Sequence, residues 1–197
     1  MLKSDTFQEY VEAVAAQAVA SDAADMDAFM AEAWNADSSK TVKDALVEKI
    51  AVIGENLNIR RFQKETQENG CIVSYIHGGG RIGVLVKAET AVVNDAVKEA
   101  LTNVAMQVAA LAPKYVSSED VSEEYKEHEK AILLAQAKNE NPDKPENIIE
   151  KMIIGRLNKE LKEVCLMEQA YVKAEDGKQT VAKYLQQVSK EVGADIK

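Results

Sequence analysis

Residues 69–86 read NGCIVSYIHGGGRIGVLV, and this stretch decides the fold. It holds two apolar runs of strand length, 71–76 and 81–86, separated by a histidine and three glycines. Strands joined by so short a turn must pair antiparallel. The Asn-Gly at 69–70 is a strong hairpin-turn signal, and it predicts that the extended stretch beginning at 58–62 pairs as a further strand. The sequence therefore predicts an antiparallel β-meander rather than a βαβ unit.

Apolar residues at helical spacing predict α-helices on both sides of this sheet. Before the sheet, residues 4–20 and 41–54 are interpreted as helices, with short helical pieces and loops in 21–40. Thr41 begins a capping pattern with Asp44 at the start of the second helix, and Gly54 ends that helix. The helices predicted after the sheet are 92–111, 121–140, 146–164 and 179–192, and 171–173 is a short extended piece.

The apolar stripe of each helix predicts the face that packs in the core. The stripes, in chain order, are Phe7-Val11-Val14-Ala18; Val42-Leu46-Ile50-Ile53; Val93-Val97-Leu101-Val104-Val108-Leu111; Val121-Tyr125-His128-Ile132-Ala135; Ile149-Ile153-Leu157-Leu161-Val164; and Val181-Leu185-Val188-Val192.

These elements predict an α+β fold, with helices around a small antiparallel β-meander and a protruding antiparallel helical hairpin of coiled-coil type. The hairpin is expected because residues 141–145 (Asn-Pro-Asp-Lys-Pro) are a short break between two long amphipathic helices. The predicted segments are 1–54, the helical N-terminal part of a first core lobe; 55–116, the strands and long helix; 117–165, the helical-hairpin insertion; and 166–197, the C-terminal part of a second core lobe.

Composition excludes several classes of protein. The 197 residues carry a formal net charge of -9, from 33 acidic and 24 basic residues, and without a dense basic run direct nucleic-acid binding is disfavoured. Cys71 and Cys165 stand alone among apolar residues, which predicts two free thiols and no zinc site. With no membrane-length apolar run and no signal-peptide core, the sequence predicts a cytoplasmic protein without a membrane anchor.

A search for chemistry finds no catalytic, cofactor or metal site. The glycines at 78–80 run into a strand and not into a helix, so a turn is favoured over a phosphate-binding loop. His128 lies on a charged helix, and no serine or cysteine motif accompanies it or His77. Paired acids such as Glu123-Glu124 are typical of a solvated helix face. The residues therefore favour an interaction protein over an enzyme.

Several segments resemble the elongation factor Ts family, in order and over nearly the whole chain. They are KIAVIGENLNIRR (49–61), SYIHG followed by GRIGVLV (74–78 and 80–86), AMQVAA (105–110), EDV (119–121), EKM and GR (150–152 and 155–156) and QAYV (169–172). Members of this family insert between two domains of elongation factor Tu and disturb its Mg²⁺ and phosphate site, so that GDP leaves.

The resemblance implies a guanine-nucleotide exchange factor that binds elongation factor Tu and breaks no bond in a substrate. It implies partner contacts at Ile53, His77, Gly78, Tyr171 and Val172, with Val172 facing the β-barrel domain of the partner. Plain core packing is the alternative for Ile53 and Val172. For His77 the alternative is a turn residue that bonds its own backbone. Since some members of the family pair as dimers, a homodimer is compatible with the resemblance.

The chain departs from the family pattern at both ends. The family's N-terminal ubiquitin-associated-like domain and the two strands ending in TDFVAK have no counterpart before residue 1, although Lys3 matches the last Lys of that motif. Phe7 lies on the first helix and is interpreted as a core residue, not as the family's wedge phenylalanine. The family also continues beyond Lys197 with a strand and a helical module. The sequence thus suggests a truncated core that binds weakly and exchanges GDP poorly.

Two other functions are considered beside this one. A scaffold or adaptor would bind another cytosolic protein through the helical hairpin, and a pull-down from cytosol would discriminate it. An unrecognised hydrolase would require a convergent polar pocket, which the sequence does not indicate.

Overall fold

The fold is seen in a computed structural model that describes residues 4–197. Lys3, which the family resemblance matched to a motif, lies outside the described residues. The elements are α1 Asp5–Ala20, α2 Met26–Ala31, β1 Ala33–Trp34, β2 Asp37–Thr41, α3 Val42–Ile53, β3 Gly70–His77, β4 Ile82–Glu89, α4 Asp95–Leu111, α5 Glu123–Glu140, α6 Glu146–Val164, a 3₁₀ turn at Leu166–Glu168, and α7 Val181–Val192.

The chain divides into two compact units. The first contains the residues up to Thr66 together with Gly78–Gly80, and the second contains Gln67–His77 and Arg81–Lys197. Helices and small antiparallel sheets occur together, so the predicted α+β class is confirmed. The finer division into four segments stays a prediction.

The first unit packs α1, α2, the β1–β2 hairpin and α3 around one apolar cluster. The start of α3 is confirmed: Thr41 and Asp44 form a capping box, and Gly54 ends the helix in the left-handed region at φ 73°. The predicted stripe of α3 is also confirmed, since Val42 and Leu46 are buried while Ile50 and Ile53 are half-buried. Residues 21–40 hold one short helix, as expected, but also the β1–β2 pair, which was not predicted.

The predicted stripe of α1 is partly wrong. Val11 is 47% exposed and Phe7 is only half-buried, whereas Tyr10 and Gln17 are buried. Gln17 is held there by hydrogen bonds, because its Nε2 donates to the carbonyl of Ala33 at 3.2 Å and its Oε1 accepts from the Asn35 amide at 2.8 Å. The buried face of α1 therefore includes a hydrogen-bonded polar side chain and differs from the purely apolar stripe that was predicted.

In the second unit, β3 and β4 pair antiparallel over their whole length, from Gly70 opposite Glu89 to His77 opposite Ile82. Helix α4 contacts both strands, and α7 packs on α4. The shared buried cluster consists of Ala88, Val97, Ala100, Leu101, Val104, Leu166, Tyr171, Val181, Leu185, Val188 and Ile196. This cluster includes Tyr171, which belongs to the candidate site described below.

The third strand of the predicted meander is wrong. No strand is found between α3 and β3, and the Asn-Gly at 69–70 is not a hairpin turn, because Gly70 is the first residue of β3. Leu57, Ile59 and Phe62 pack instead against the apolar cluster of the first unit. The side chains of these residues therefore contribute to packing, but their backbone forms no strand.

Helices α5 and α6 form the predicted helical hairpin. Arg156 Nη2 donates to Glu140 Oε2 at 2.6 Å, and the Tyr125 hydroxyl donates to Glu160 Oε1 at 3.2 Å. The stripe predicted for α5 is partly wrong: Val121 is buried and Tyr125 is half-buried, but His128, Ile132 and Ala135 are exposed. The residues that pack this hairpin are Leu133, Leu134, Ala137, Ile149 and Ile153. The contact face follows from the position of α6, which the periodicity of α5 alone does not reveal.

Candidate partner-binding site

Val172 lies in the segment 169–180, here named the Val172 loop, which joins the 3₁₀ turn to α7. The predicted extended piece at 171–173 is wrong, because these residues begin a turn. The Tyr171 amide donates to the Gln179 carbonyl at 2.8 Å, and Ala170 forms an isolated antiparallel bridge with Thr180. The Val172 side chain is 50% exposed. The Val172 side chain is thus exposed to solvent, while the backbone just before it is paired with Gln179 and Thr180.

Tyr171 points the other way, into the core of the second unit. It is 6% exposed, and its ring stacks on that of Tyr184 with centroids 4.3 Å apart and planes at 15°. Burial, with the neighbouring Tyr184 hydroxyl, raises the pKa of Tyr171 above its ordinary value, so the phenol stays neutral. Tyr171 therefore anchors the Val172 loop in the core, while the Val172 side chain is accessible to solvent.

Gln107 on α4 holds the backbone of the same loop. Its side chain is fully buried. Its Oε1 accepts from the Val172 amide at 2.8 Å, and its Nε2 donates to the Ala170 carbonyl at 3.0 Å and to Gln169 Oε1 at 3.1 Å. A buried primary amide with both functions bonded is stabilising, whereas an unbonded one is costly.

Charged side chains of both signs lie in and beside the Val172 loop. Lys173 Nζ donates to Asn103 Oδ1 at 2.7 Å, and Asn103 Nδ2 donates to the Tyr184 hydroxyl at 3.0 Å. Lys178 and Lys183 line the same open groove of about 950 Å³. Glu175 and Asp176 line this groove as well, so its charge is mixed.

His77 and Gly78 lie where β3 turns back toward β4. His77 is exposed, and its Nδ1 lies 3.0 Å from the Tyr75 hydroxyl, so a neighbouring side chain orients the ring. Gly78 adopts φ 62°, in the left-handed region that glycine tolerates without strain. Ile76 beside the turn is 70% exposed. The turn therefore presents an imidazole and an isoleucine to solvent.

Ile53 is the last residue of α3 in the first unit. It is half-buried, and with Val52 it lines a hollow of about 330 Å³ that also contains Ser4, Thr6 and Glu55. The Ile53 side chain is therefore partly packed against its neighbours and partly accessible to solvent.

The structure brings Tyr171 and Val172 together on one loop, and His77 and Gly78 on one turn, while Ile53 belongs to the first unit. Sequence reasoning missed Gln107, whose side chain forms hydrogen bonds with the backbone of the Val172 loop. A signal was present, because Gln107 borders the predicted apolar stripe of α4, three residues after Val104 and four before Leu111. A polar residue at the edge of such a stripe is a signal of a buried hydrogen-bonding role.

Within residues 4–197 no cluster of three or more histidine, cysteine, aspartate or glutamate side chains is placed to bind a metal ion. Cys71 and Cys165 are free thiols, and burial raises the pKa of Cys165. Over the same residues, no helix combines the length and apolar character needed to cross a membrane.

Comparison with known proteins gives one consistent result. The family described as Elongation factor TS matches residues 2–196. Elongation factor Ts of Clostridium botulinum (strain ATCC 19397 / Type A) is 46% identical over 193 residues, and that of Clostridioides difficile (strain 630) is 47% identical over 195 residues. These alignments cover 98% and 99% of this chain, and the chain spans 62% of the length of each of these curated relatives.

Proposed function

Because the chain belongs to the elongation factor Ts family of translation elongation factors, we propose that it binds elongation factor Tu and promotes release of GDP from it. The observation that carries this proposal is the Val172 loop. It presents an exposed valine on a backbone that a fully buried side chain holds in place. Exposed apolar groups on restricted loops are typical of recognition surfaces. The cytoplasm is the proposed site of action.

The proposed activity is a thermodynamic linkage and involves no catalytic group. A protein that binds the nucleotide-free form of its partner more tightly than the GDP form must weaken GDP binding by the same factor. The requirement on this chain is therefore a surface that discriminates two states of the partner. Titratable groups gathered in a cleft are not needed.

In this proposal Val172 contacts the β-barrel domain of elongation factor Tu, and His77 and Gly78 contact the partner through the turn between β3 and β4. Ile53 contributes from the end of α3. Tyr171 acts indirectly, since its stacked and buried ring fixes the loop that Val172 occupies. Homodimer formation stays a separate prediction, checked by light scattering.

We expect the chain to weaken GDP binding to elongation factor Tu by a factor of about 5 to 150, the usual range for coupled sites. The measurement is stopped-flow release of fluorescent GDP from clostridial elongation factor Tu as the chain is titrated, with calorimetry to record binding. Binding without a change in GDP release would favour the adaptor function instead. Failure of the chain to bind elongation factor Tu at all would overturn the proposal.

His77→Ala is expected to weaken binding to elongation factor Tu by about 5-fold or more, because an exposed imidazole is lost from the proposed contact. The melting temperature should stay close to that of the unsubstituted chain, since His77 is exposed. Calorimetric titration and thermal melts measure the two effects separately. His128→Ala, which removes the other histidine from the exposed face of α5, is the matched control and should change neither. Equal affinities for both variants would remove His77 from the proposed contact.

A further inference from the structure

We infer that Gln107 is a positioning residue: it holds Val172 in the conformation that contacts the partner, and it links this loop to the base of the helical hairpin. This inference rests on the proposed function. Gln107 would not touch the partner itself, because it is fully buried. Its effect would pass through the backbone amide of Val172.

The link is a chain of amide hydrogen bonds. It begins at the Glu163 carbonyl in the last turn of α6, which accepts from Gln169 Nε2 at 2.7 Å. Gln169 Oε1 accepts from Gln107 Nε2 at 3.1 Å, and Gln107 Oε1 accepts from the Val172 amide at 2.8 Å. Helix α4, where Gln107 lies 62 residues before Gln169 in the chain, is thus joined to the Val172 loop and to the end of α6 through the side chains of Gln107 and Gln169.

Core packing alone does not account for a glutamine at position 107. An apolar side chain of similar volume would fill this place without the cost of burying an amide. What the amide adds is directional: one acceptor for the Val172 amide, and two donors for Ala170 and Gln169. Because the Val172 side chain is half exposed while its amide is bonded inward, the hydrogen bond sets where the exposed group points.

The expected size of the effect follows from conformational entropy. Ordering the backbone of one free residue on binding corresponds to about 5- to 30-fold in affinity. Gln107→Leu should therefore weaken binding to elongation factor Tu by about that factor. By nuclear magnetic resonance, the amide of Val172 should exchange its hydrogen at least about 10-fold faster in the variant, because it loses its acceptor.

A double-mutant cycle separates positioning from general stability. In a Val172→Ala background, Gln107→Leu should change affinity by less than about 2-fold, since its effect passes through the group already removed. Gln169→Leu tests the link to α6 separately, because it removes the bonds to the Glu163 carbonyl and to Gln107 Nε2. It also removes a buried amide, 3% exposed, but leaves the bond between Gln107 and Val172 in place. This variant should lower stability with a smaller loss of affinity. If Gln107→Leu does not fold, Gln107→Asn, which is one methylene shorter, replaces it.

The outcomes are distinct. Weaker binding with non-additivity toward Val172 and faster amide exchange supports the inference. A Gln107→Leu protein that is less stable but binds elongation factor Tu as tightly as the unsubstituted chain overturns it and leaves a purely structural glutamine. Loss of affinity that adds fully to that of Val172→Ala also overturns it. Absence of binding by the unsubstituted chain instead overturns the proposed function, and with it this inference.

Discussion

Gly70→Ala is expected to lower the free energy of unfolding of the second unit by about 3 to 5 kcal/mol. Gly70 has φ 144°, a conformation that side chains rarely adopt, and a Cβ built there would lie 2.0 Å from the Ala88 carbonyl oxygen. That oxygen belongs to the backbone of β4, and Ala88 is buried within the cluster that α4 packs on. The strand cannot yield without disturbing the core. Urea unfolding followed by circular dichroism, with hydrogen exchange of the β3 amides, measures the loss.

Gly83→Ala is the control for Gly70→Ala. Gly83 lies in the partner strand of the same hairpin, without a positive φ, and a Cβ there would have no neighbour within 4 Å. Alanine at this position should change the free energy of unfolding by at most about 1 kcal/mol, in the stabilising direction, because glycine weakens a strand interior. If Gly70→Ala were as stable as Gly83→Ala, the close approach of β4 to Gly70 would be contradicted.

Phe29→Ala is expected to destabilise the first unit by about 3 to 5 kcal/mol. Phe29 is fully buried, and its ring centroid lies 4.7 Å from that of Phe62 in a tilted aromatic pair. The substitution removes the largest fully buried side chain and leaves a cavity that two helices and a segment outside the sheet would have to close. Trp34, the one tryptophan in the sequence, is buried in the same cluster, so its fluorescence reports unfolding of this unit directly.

Val52→Ala is the matched control in the first unit. Val52 lies on α3 with its side chain 72% exposed, so this variant should stay within about 0.5 kcal/mol of the unsubstituted chain. A Phe29→Ala transition that coincides with that of Val52→Ala would show that the Phe29 cluster does not determine the stability of the unit.

Helix positions were predictable because their signals are local. The start of α3 needs only the Thr41 hydroxyl and the Asp44 carboxylate three residues apart, and its end needs only a glycine that tolerates φ 73°. The hairpin of β3 and β4 was predictable for the same reason, since two apolar runs flank three glycines. The family could also be recognised from short segments, because those segments are contiguous in the chain.

The failures share a physical cause. The Asn-Gly at 69–70 has the composition of a turn, yet Gly70 is required there by the approach of Ala88, which is 18 residues away in the sequence. The contact face of α5 depends on α6, and the buried face of α1 depends on the bonds of Gln17 to β1 and to Asn35. In each case tertiary packing overrides the local pattern.

The candidate site shows the same division. The family resemblance pointed to Ile53, His77, Gly78, Tyr171 and Val172, and their contact with a partner stays a prediction. The roles of Tyr171 and Val172, adjacent in sequence, depend on side chains remote from them. Tyr171 is buried and stacks on Tyr184, whereas the Val172 side chain is exposed and its backbone amide donates to Gln107 Oε1. Local sequence therefore determined the long helices, the β3–β4 hairpin and the family. Long-range hydrogen bonds and packing decided which residues face solvent, because burial depends on every element that surrounds a side chain.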